Sequence, residues 1–293
     1  MAGKQVTELD ALPSFTDTSL LPVHNGTGLK KGSLSQLANY LGTKFSNPNL
    51  LINPDFKINQ RGATSYEQQG YSVDRWKIWN VTVTPNSNGS ITIKNDKYTD
   101  TGTFIQILEN STEGDSTLSC YVTSVSGTVT MVADDDSQVI LKQGLNVVHT
   151  SKSTKNFIIF LNQGTSVTLK WVKLEQGEVA TEFIAPNPAE ELATCKRFTQ
   201  YYDSIPCIPG VLYVANTTSA TSGWLPLYQI LSPSMRVVPT ISVFSVNANN
   251  GNSIGSNYSV SLDNNRLKAV VFKEASNYHT ITLNKVLLDA EIY

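Results

Sequence analysis

The chain is poor in charge. Of its 293 residues only 16% are Asp, Glu, Lys or Arg, against roughly a quarter in ordinary soluble proteins. Lys and Arg number 22 and Asp and Glu 24, a formal net charge of −2. There is no basic excess to neutralise a run of phosphates, so nucleic-acid binding is not expected. Long apolar runs are missing as well. The longest strongly apolar stretch is Phe157 to Leu161, far short of the roughly 20 residues that cross a bilayer. Membrane insertion is therefore not expected, and MAGKQVTELD at the start holds no apolar segment of a secretory signal.

Reactive and metal-binding side chains are also few. The three cysteines, Cys120, Cys195 and Cys207, are odd in number and lack a signal sequence. They read as reduced, small core residues, with a Cys195–Cys207 bridge as the alternative. The three histidines, His24, His149 and His279, are scattered, and none has a ligand partner at metal spacing. No GxSxG, Gly-rich phosphate loop or HExxH is present. These absences weigh against an enzyme and against a cofactor. Asp134-Asp135-Asp136 offers oxygen for calcium, but consecutive side chains cannot all face one ion, and an acidic turn is the preferred reading.

What is present is Asn, Ser, Thr and Gln around 40% apolar and 9% aromatic residues. Turn residues recur every 8–12 residues or so between alternating stretches, which predicts a mainly β protein. Residues 1–47 differ. Leu20, Leu21 and Val23 precede the turn signal His24-Asn25-Gly26. Ser33 and Gln36 then form a capping box for a helix that carries Leu34, Leu37, Ala38 and Leu41 on one face and stops at Gly42. So small a unit cannot bury its own core. Its leucine face should dock on sister chains, on another protein, or on the chain's own next domain. Residues 48–185 carry eight or nine strand signals and predict a sandwich or jelly roll. In residues 186–203 Asn187, Pro188 and Glu190 open one linking helix, with Leu192, Cys195, Phe198 and Tyr202 on a face. Residues 204–293 return to strands. They end in an apolar run that should be tied into a sheet or interface.

Four motifs are distinctive. Asn49-Leu50-Leu51-Ile52-Asn53-Pro54-Asp55-Phe56 runs to Gln60-Arg61-Gly62 and Asp74-Arg75-Trp76. Val172-Lys173-Leu174-Glu175 leads to Ala180-Thr181-Glu182-Phe183. Glu190-Glu191-Leu192 precedes Cys195-Lys196-Arg197-Phe198, and Met235-Arg236 precedes Pro239-Thr240. In this order they resemble bacteriophage tail-fibre and receptor-binding proteins over about residues 48–245, with Glu182 where proline is common. The resemblance implies a jelly roll like a carbohydrate-binding module over 48–185 and a C-terminal β-sandwich-like domain at the distal tip. It also implies a virion-anchoring segment over 1–47, a homotrimer joined to other tail proteins, and a virion location after assembly in the host cytoplasm.

The implied function is attachment to host surface glycan. Aromatic faces would stack on sugar C–H patches, with amides and hydroxyls supplying hydrogen bonds. The candidates are Tyr66, Tyr71, Trp76, Trp79 and Tyr98, then Trp224, Tyr228, Tyr258 and Tyr278. The Asp-Arg-Trp resemblance assigns Trp76 to the core, which leaves Trp79, Tyr66, Tyr98, Tyr258 and Tyr278 as the ligand set. Leu34, Leu37 and Leu41 form the oligomer or anchor face. A connector that never touches a receptor is the alternative. A short depolymerase would need two paired carboxylates. Asp74, Asp96, Glu109 and Asp115 are available, but nothing in the sequence pairs them.

Overall fold

The structure, a computed structural model, describes residues 19–24, 27–42, 46–134, 136–207, 213–214, 223–224, 227–230, 232–248, 258–263, 266–271 and 281–292. The chain is mainly β. Near the N-terminus β1 (Leu20–His24) and β2 (Leu29–Ser33) form a hairpin that runs into α1 (Leu34–Gly42). The predicted capping box is in place. Gln36 N donates to Ser33 Oγ at 3.1 Å, and Ser33 N donates to Gln36 Oε1 at 2.8 Å. A further short stretch with apolar residues, Val6 to Leu9, lies outside the described residues.

The middle of the chain supplies β3 (Gly70–Tyr71), β4 (Lys77–Trp79), β5 (Thr82–Pro85), β6 (Ile91–Asn95), β7 (Gly102–Ile107) and β8 (Ser116–Ser126). It continues with β9 (Val129–Val132), β10 (Gln138–Ile140), β11 (Gly144–Thr150), β12 (Asn156–Leu161) and β13 (Thr165–Gln176). Two antiparallel sheets result, in the orders β10-β9-β12-β7-β4-β3 and β11-β8-β13-β6-β5. From β6 to β9, and again from β11 to β13, each connection crosses to the other sheet. This to-and-fro path is that of a jelly roll. Strict alternation explains the packing. In β12 Phe157, Ile159 and Leu161 are buried while Ile158 and Phe160 are partly exposed, as period two requires. Between the sheets an aromatic cluster is built on Trp76, which stacks on Phe104 at 4.5 Å and meets Phe157 edge-on at 5.9 Å.

The region from Tyr71 to Thr84 reads in sequence as one long β stretch, yet it is cut into three strands. Arg75 and Asn80 both take positive φ, at 71° and 52°, and end β-pairing locally. β7 then approaches so closely that a Cβ on Gly102 would strike the Asn80 carbonyl and Val81.

α2 (Pro188–Lys196) starts as predicted, with the Asn187 side chain accepting from Ala189 N and Pro188 in the first turn. It stops at Lys196, short of residue 203. Thr199 to Tyr202 are β-branched, polar and aromatic, and they pair instead with the last strand. β14 (Thr199–Cys207), β15 (Tyr213–Val214), β16 (Gly223–Trp224), β17 (Leu227–Ile230), β18 (Thr240–Ala248), β19 (Tyr258–Asp263), β20 (Arg266–Val271) and β21 (Ile281–Asp289) follow. β21 is the middle strand of the order β14-β21-β18, so the apolar C-terminal run is tied into a sheet.

Cys120 and Cys195 are free and fully buried. Burial pushes the Cys120 thiol up to about 12 and raises that of Cys195 as well. The thiolate is the reactive form, so neither should react with a thiol reagent at about pH 8 in the native protein. A colorimetric thiol titration should find both only after denaturant is added. Of Cys207 only the backbone is described.

Candidate functional site

Three of the four motifs meet at one buried joint between the sandwich and the C-terminal sheet. Asn53 is buried with φ 55°. Its Nδ2 donates to Ile58 O at 2.8 Å and Asp74 O at 3.0 Å, and its carbonyl accepts from Trp76 Nε1 at 3.0 Å. Its backbone N donates to the Glu191 carboxylate on α2. Asp74 accepts from Gln60 N at 2.7 Å and also from the Gln60 side chain, which donates onward to Thr199 O at 2.8 Å.

Arg75 is the centre of this joint. Its guanidinium lies 3.7 Å from the centre of the Phe198 ring and donates to Ile107 O at 2.7 Å. It also forms a buried ion pair with Glu291, whose other oxygen accepts from Thr199 Oγ1 at 2.9 Å. Arg236 closes the far side by donating to Ala290 O at 2.9 Å and Glu291 O at 3.3 Å. The remaining motif is structural too. Residues 181–183 cross the outer face of the five-stranded sheet. Lys173 Nζ donates to Thr181 Oγ1 at 2.6 Å, Glu175 accepts from Thr181 N at 2.9 Å, and Phe183 stacks on Trp171 at 4.7 Å.

Burial holds the carboxyls of Asp74 and Glu191 above their usual range, against the hydrogen bonds they accept. The folded state therefore binds these protons more tightly than the unfolded chain. Their contribution to stability is present at acid pH and is lost as pH rises through the raised values. The joint should resist denaturant better at about pH 5 than at about pH 7. Asp74→Asn should flatten that slope in urea titrations at the two pH values.

The ligand candidates separate. Trp76 is fully buried, whereas Trp79 is 51% exposed on the outer face of the six-stranded sheet. Beside it, Gln69 Nε2 reaches Asn80 Oδ1 at 3.4 Å. The same 67–69 segment receives Tyr98, whose hydroxyl donates to Glu67 O at 3.0 Å, and Glu67 pairs with Lys97 at 2.7 Å. Trp79 and partly exposed Tyr98 thus border one polar segment. Tyr66 has a different place. It bridges Val83 in the backbone, donates its hydroxyl to Asn59 Oδ1, and packs against the core. Burial raises its pKa. Tyr71 donates to Ile292 O at the joint. Tyr258, Trp224 and Tyr228 are described in backbone only, on β19, β16 and β17, and Tyr278 lies outside the described residues.

Sequence reasoning did not single out Phe160, which shares Trp79's face. The signal was available: β12 is apolar on both of its faces, and one of them looks outward.

The acidic candidates are not gathered. Asp74 sits in the joint and Glu109 pairs with Arg197 at 3.1 Å. Asp96 and Asp115 are exposed on other loops. A cleft of about 460 Å³ opens beside Arg75 between Leu50, Leu108, Glu109 and Glu113. In the acidic turn Asp134 accepts from Lys155 N at 2.6 Å and Asn156 Nδ2 at 2.8 Å, and it clamps a neighbouring strand. Asp135 is outside the described residues. Among the described residues no three His, Cys, Asp or Glu are placed to hold a metal, and no helix is long and apolar enough to cross a membrane.

Leu37 and Leu41 are 42% and 41% exposed on α1, and Leu34 is partly exposed. An apolar groove of about 570 Å³ runs between Leu21, Val23, Leu37 and Tyr40. The leucine face is uncovered in the single chain.

No protein-family model matches the chain, and no curated protein sequence does. Among solved structures an agarase, AgWH50C, is similar at 7% identity and a TM-score of 0.25, over 72% of this chain and 47% of that one. PfGH50B is similar at 7% identity and a TM-score of 0.25, over 69% and 48%. The chain spans about half the length of each of these proteins.

Proposed function

We propose that this chain is a structural virion protein, a phage tail-fibre subunit that attaches to host-cell glycan. The observation that carries the reading is Trp79, a large indole held half-exposed on an outer sheet face near amides and an ion pair. Exposed indoles on a rigid element suit stacking on sugars, because the ring faces lose little entropy on binding. The low charge density suits neutral glycans and lets sister chains lie close together. Residues 1–47 join the chain to other tail proteins, and Leu34, Leu37 and Leu41 pack three copies together. The carboxylates are engaged in ion pairs and hydrogen bonds or stand apart on separate loops, which supports adhesion over cleavage.

The test is saturable binding of the full chain to host cells, competed by soluble surface polysaccharide. Trp79→Ala should weaken it at least about tenfold, the loss of one well-used aromatic contact. Thermal stability should barely move, since the side chain is exposed. Docking to other tail proteins without any cell binding would favour the connector reading, which the apolar groove beside α1 also fits. Light scattering of the full chain should give the mass of three subunits, and a monomeric mass would sink the trimer.

A further inference from the structure

Trp79 does not stand alone on its sheet. The strand registers place Trp79 opposite Thr103, Thr103 opposite Phe160, Phe160 opposite Thr130 and Thr130 opposite Ile140. Residues directly opposite one another share a face, so five side chains form one row across β4, β7, β12, β9 and β10. Every member is on the outer face. Trp79 and Ile140 are exposed, at 51% and 56%, and Thr103, Phe160 and Thr130 are partly exposed. The inward positions of the same strands are the buried Ile78, Phe104, Phe157, Ile159 and Met131.

The order along the row is ring, hydroxyl, ring, hydroxyl, aliphatic. An alternation of ring faces and hydroxyls matches a molecule whose own surface alternates C–H patches and hydroxyls. Trp79 and Phe160 are two strand spacings apart, about 10 Å. A pyranose ring with its glycosidic bond advances an extended chain by about one strand spacing, roughly 5 Å. The two rings therefore fall under alternate sugars, and the Thr103 hydroxyl falls under the sugar between them. The neighbouring row on this face is Lys77, Ile105, Ile158, Val132 and Gln138. Lys77 is the one charged side chain in the two rows, so the face carries a single positive charge where a polyanion would call for several.

We infer that the outer face of the six-stranded sheet binds an extended, neutral polysaccharide laid across the strands. Trp79 and Phe160 are its two stacking platforms, with Thr103 between them. This rests on the glycan-attachment reading above and deepens it. The site is a track of at least three sugars, not a pocket for a terminal one.

The test uses the full chain on arrayed neutral linear oligosaccharides of two to eight sugars in several linkages, printed beside sulfated and carboxylated glycans. Wild type should bind a neutral series, with affinity rising over the first three or four sugars and then levelling. Phe160→Ala should bind the disaccharide as wild type does but lose the gain with length, about tenfold on the longer chains. Phe160→Leu keeps the apolar bulk, so it guards against a folding defect and should lose the same gain. Trp79→Ala should lose binding at every length. Length dependence that survives both Phe160 variants overturns the track while leaving attachment through Trp79 standing, and so does a preference for the charged glycans. Binding to neither arrayed glycans nor host cells overturns the attachment reading itself. Thr103→Lys serves as a last control. If it lowers the oligomeric mass in light scattering, a second copy of the chain covers this face and the track is wrong.

Discussion

Replacing Arg75 by alanine is expected to destabilise the protein by about 3–5 kcal/mol, because it leaves a buried charge without its partner. Glu291 is 4% exposed and has few substitutes for the guanidinium. Thr199 Oγ1 and Arg75's own backbone N are its other donors. The same substitution removes the cation over Phe198 and the donor to Ile107 O. These three contacts reach the C-terminal sheet, the segment after α2 and β7, so the loss should uncouple the sandwich from the C-terminal sheet. Urea unfolding should shift to a lower midpoint and split into two transitions. Limited proteolysis should cut between residues 184 and 200 well before the sandwich is lost. Arg75→Ala with Glu291→Ala should be less destabilising than the sum of the single changes, since removing both partners leaves no orphaned charge. A loss under about 1 kcal/mol from Arg75→Ala alone would show that the pair is not the joint's main fastening.

Trp76→Ala is expected to cost about 3–5 kcal/mol, the range for deleting a large buried aromatic. Trp76 is 0% exposed, touches Phe56, Phe104 and Phe157, and donates to Asn53 O at 3.0 Å. Its removal opens a cavity in the centre of the sandwich and strands the Asn53 carbonyl. Trp79→Ala, three residues on, should change stability by no more than about 0.5 kcal/mol. Thermal melts of the two variants side by side test the assignment. Similar melting temperatures would mean that the core and surface roles are misassigned.

The β architecture was legible because it rests on local signals. Alternation and turn residues predicted the sandwich strands, and the Ser33–Gln36 capping box formed as written. The α2 start was equally local, but its end was not. Thr199 to Tyr202 leave the helix only because β21, more than 80 residues later, offers a pairing edge. The break at Asn80 depends likewise on β7 passing close by at Gly102.

The motifs were visible as recurring residue types, yet their chemistry was hidden, since Arg75 and Glu291 are separated by 216 positions. A polar network spread so widely carries no spacing rule. In sequence its residues suit binding and packing equally, and Asp74 reads as a candidate acid. Tyr66 and Tyr71 illustrate the same limit, because a tyrosine in an amide-rich loop reads as a ligand until its hydroxyl partner is known. For Trp79 the resemblance around Asp74-Arg75-Trp76 was enough to separate a buried Trp76 from an exposed Trp79. If Trp76 belongs to the core, its exposed neighbour becomes the candidate.

Hydroxyl-radical footprinting of the full chain with and without saturating host surface polysaccharide is the most direct test of the proposed attachment. Trp79, Tyr98 and Phe160 should lose reactivity together when the polysaccharide is added, while Tyr121 and Trp171 on the opposite sheet keep theirs. Unchanged oxidation of Trp79 at saturation, with protection elsewhere, would contradict attachment through this face.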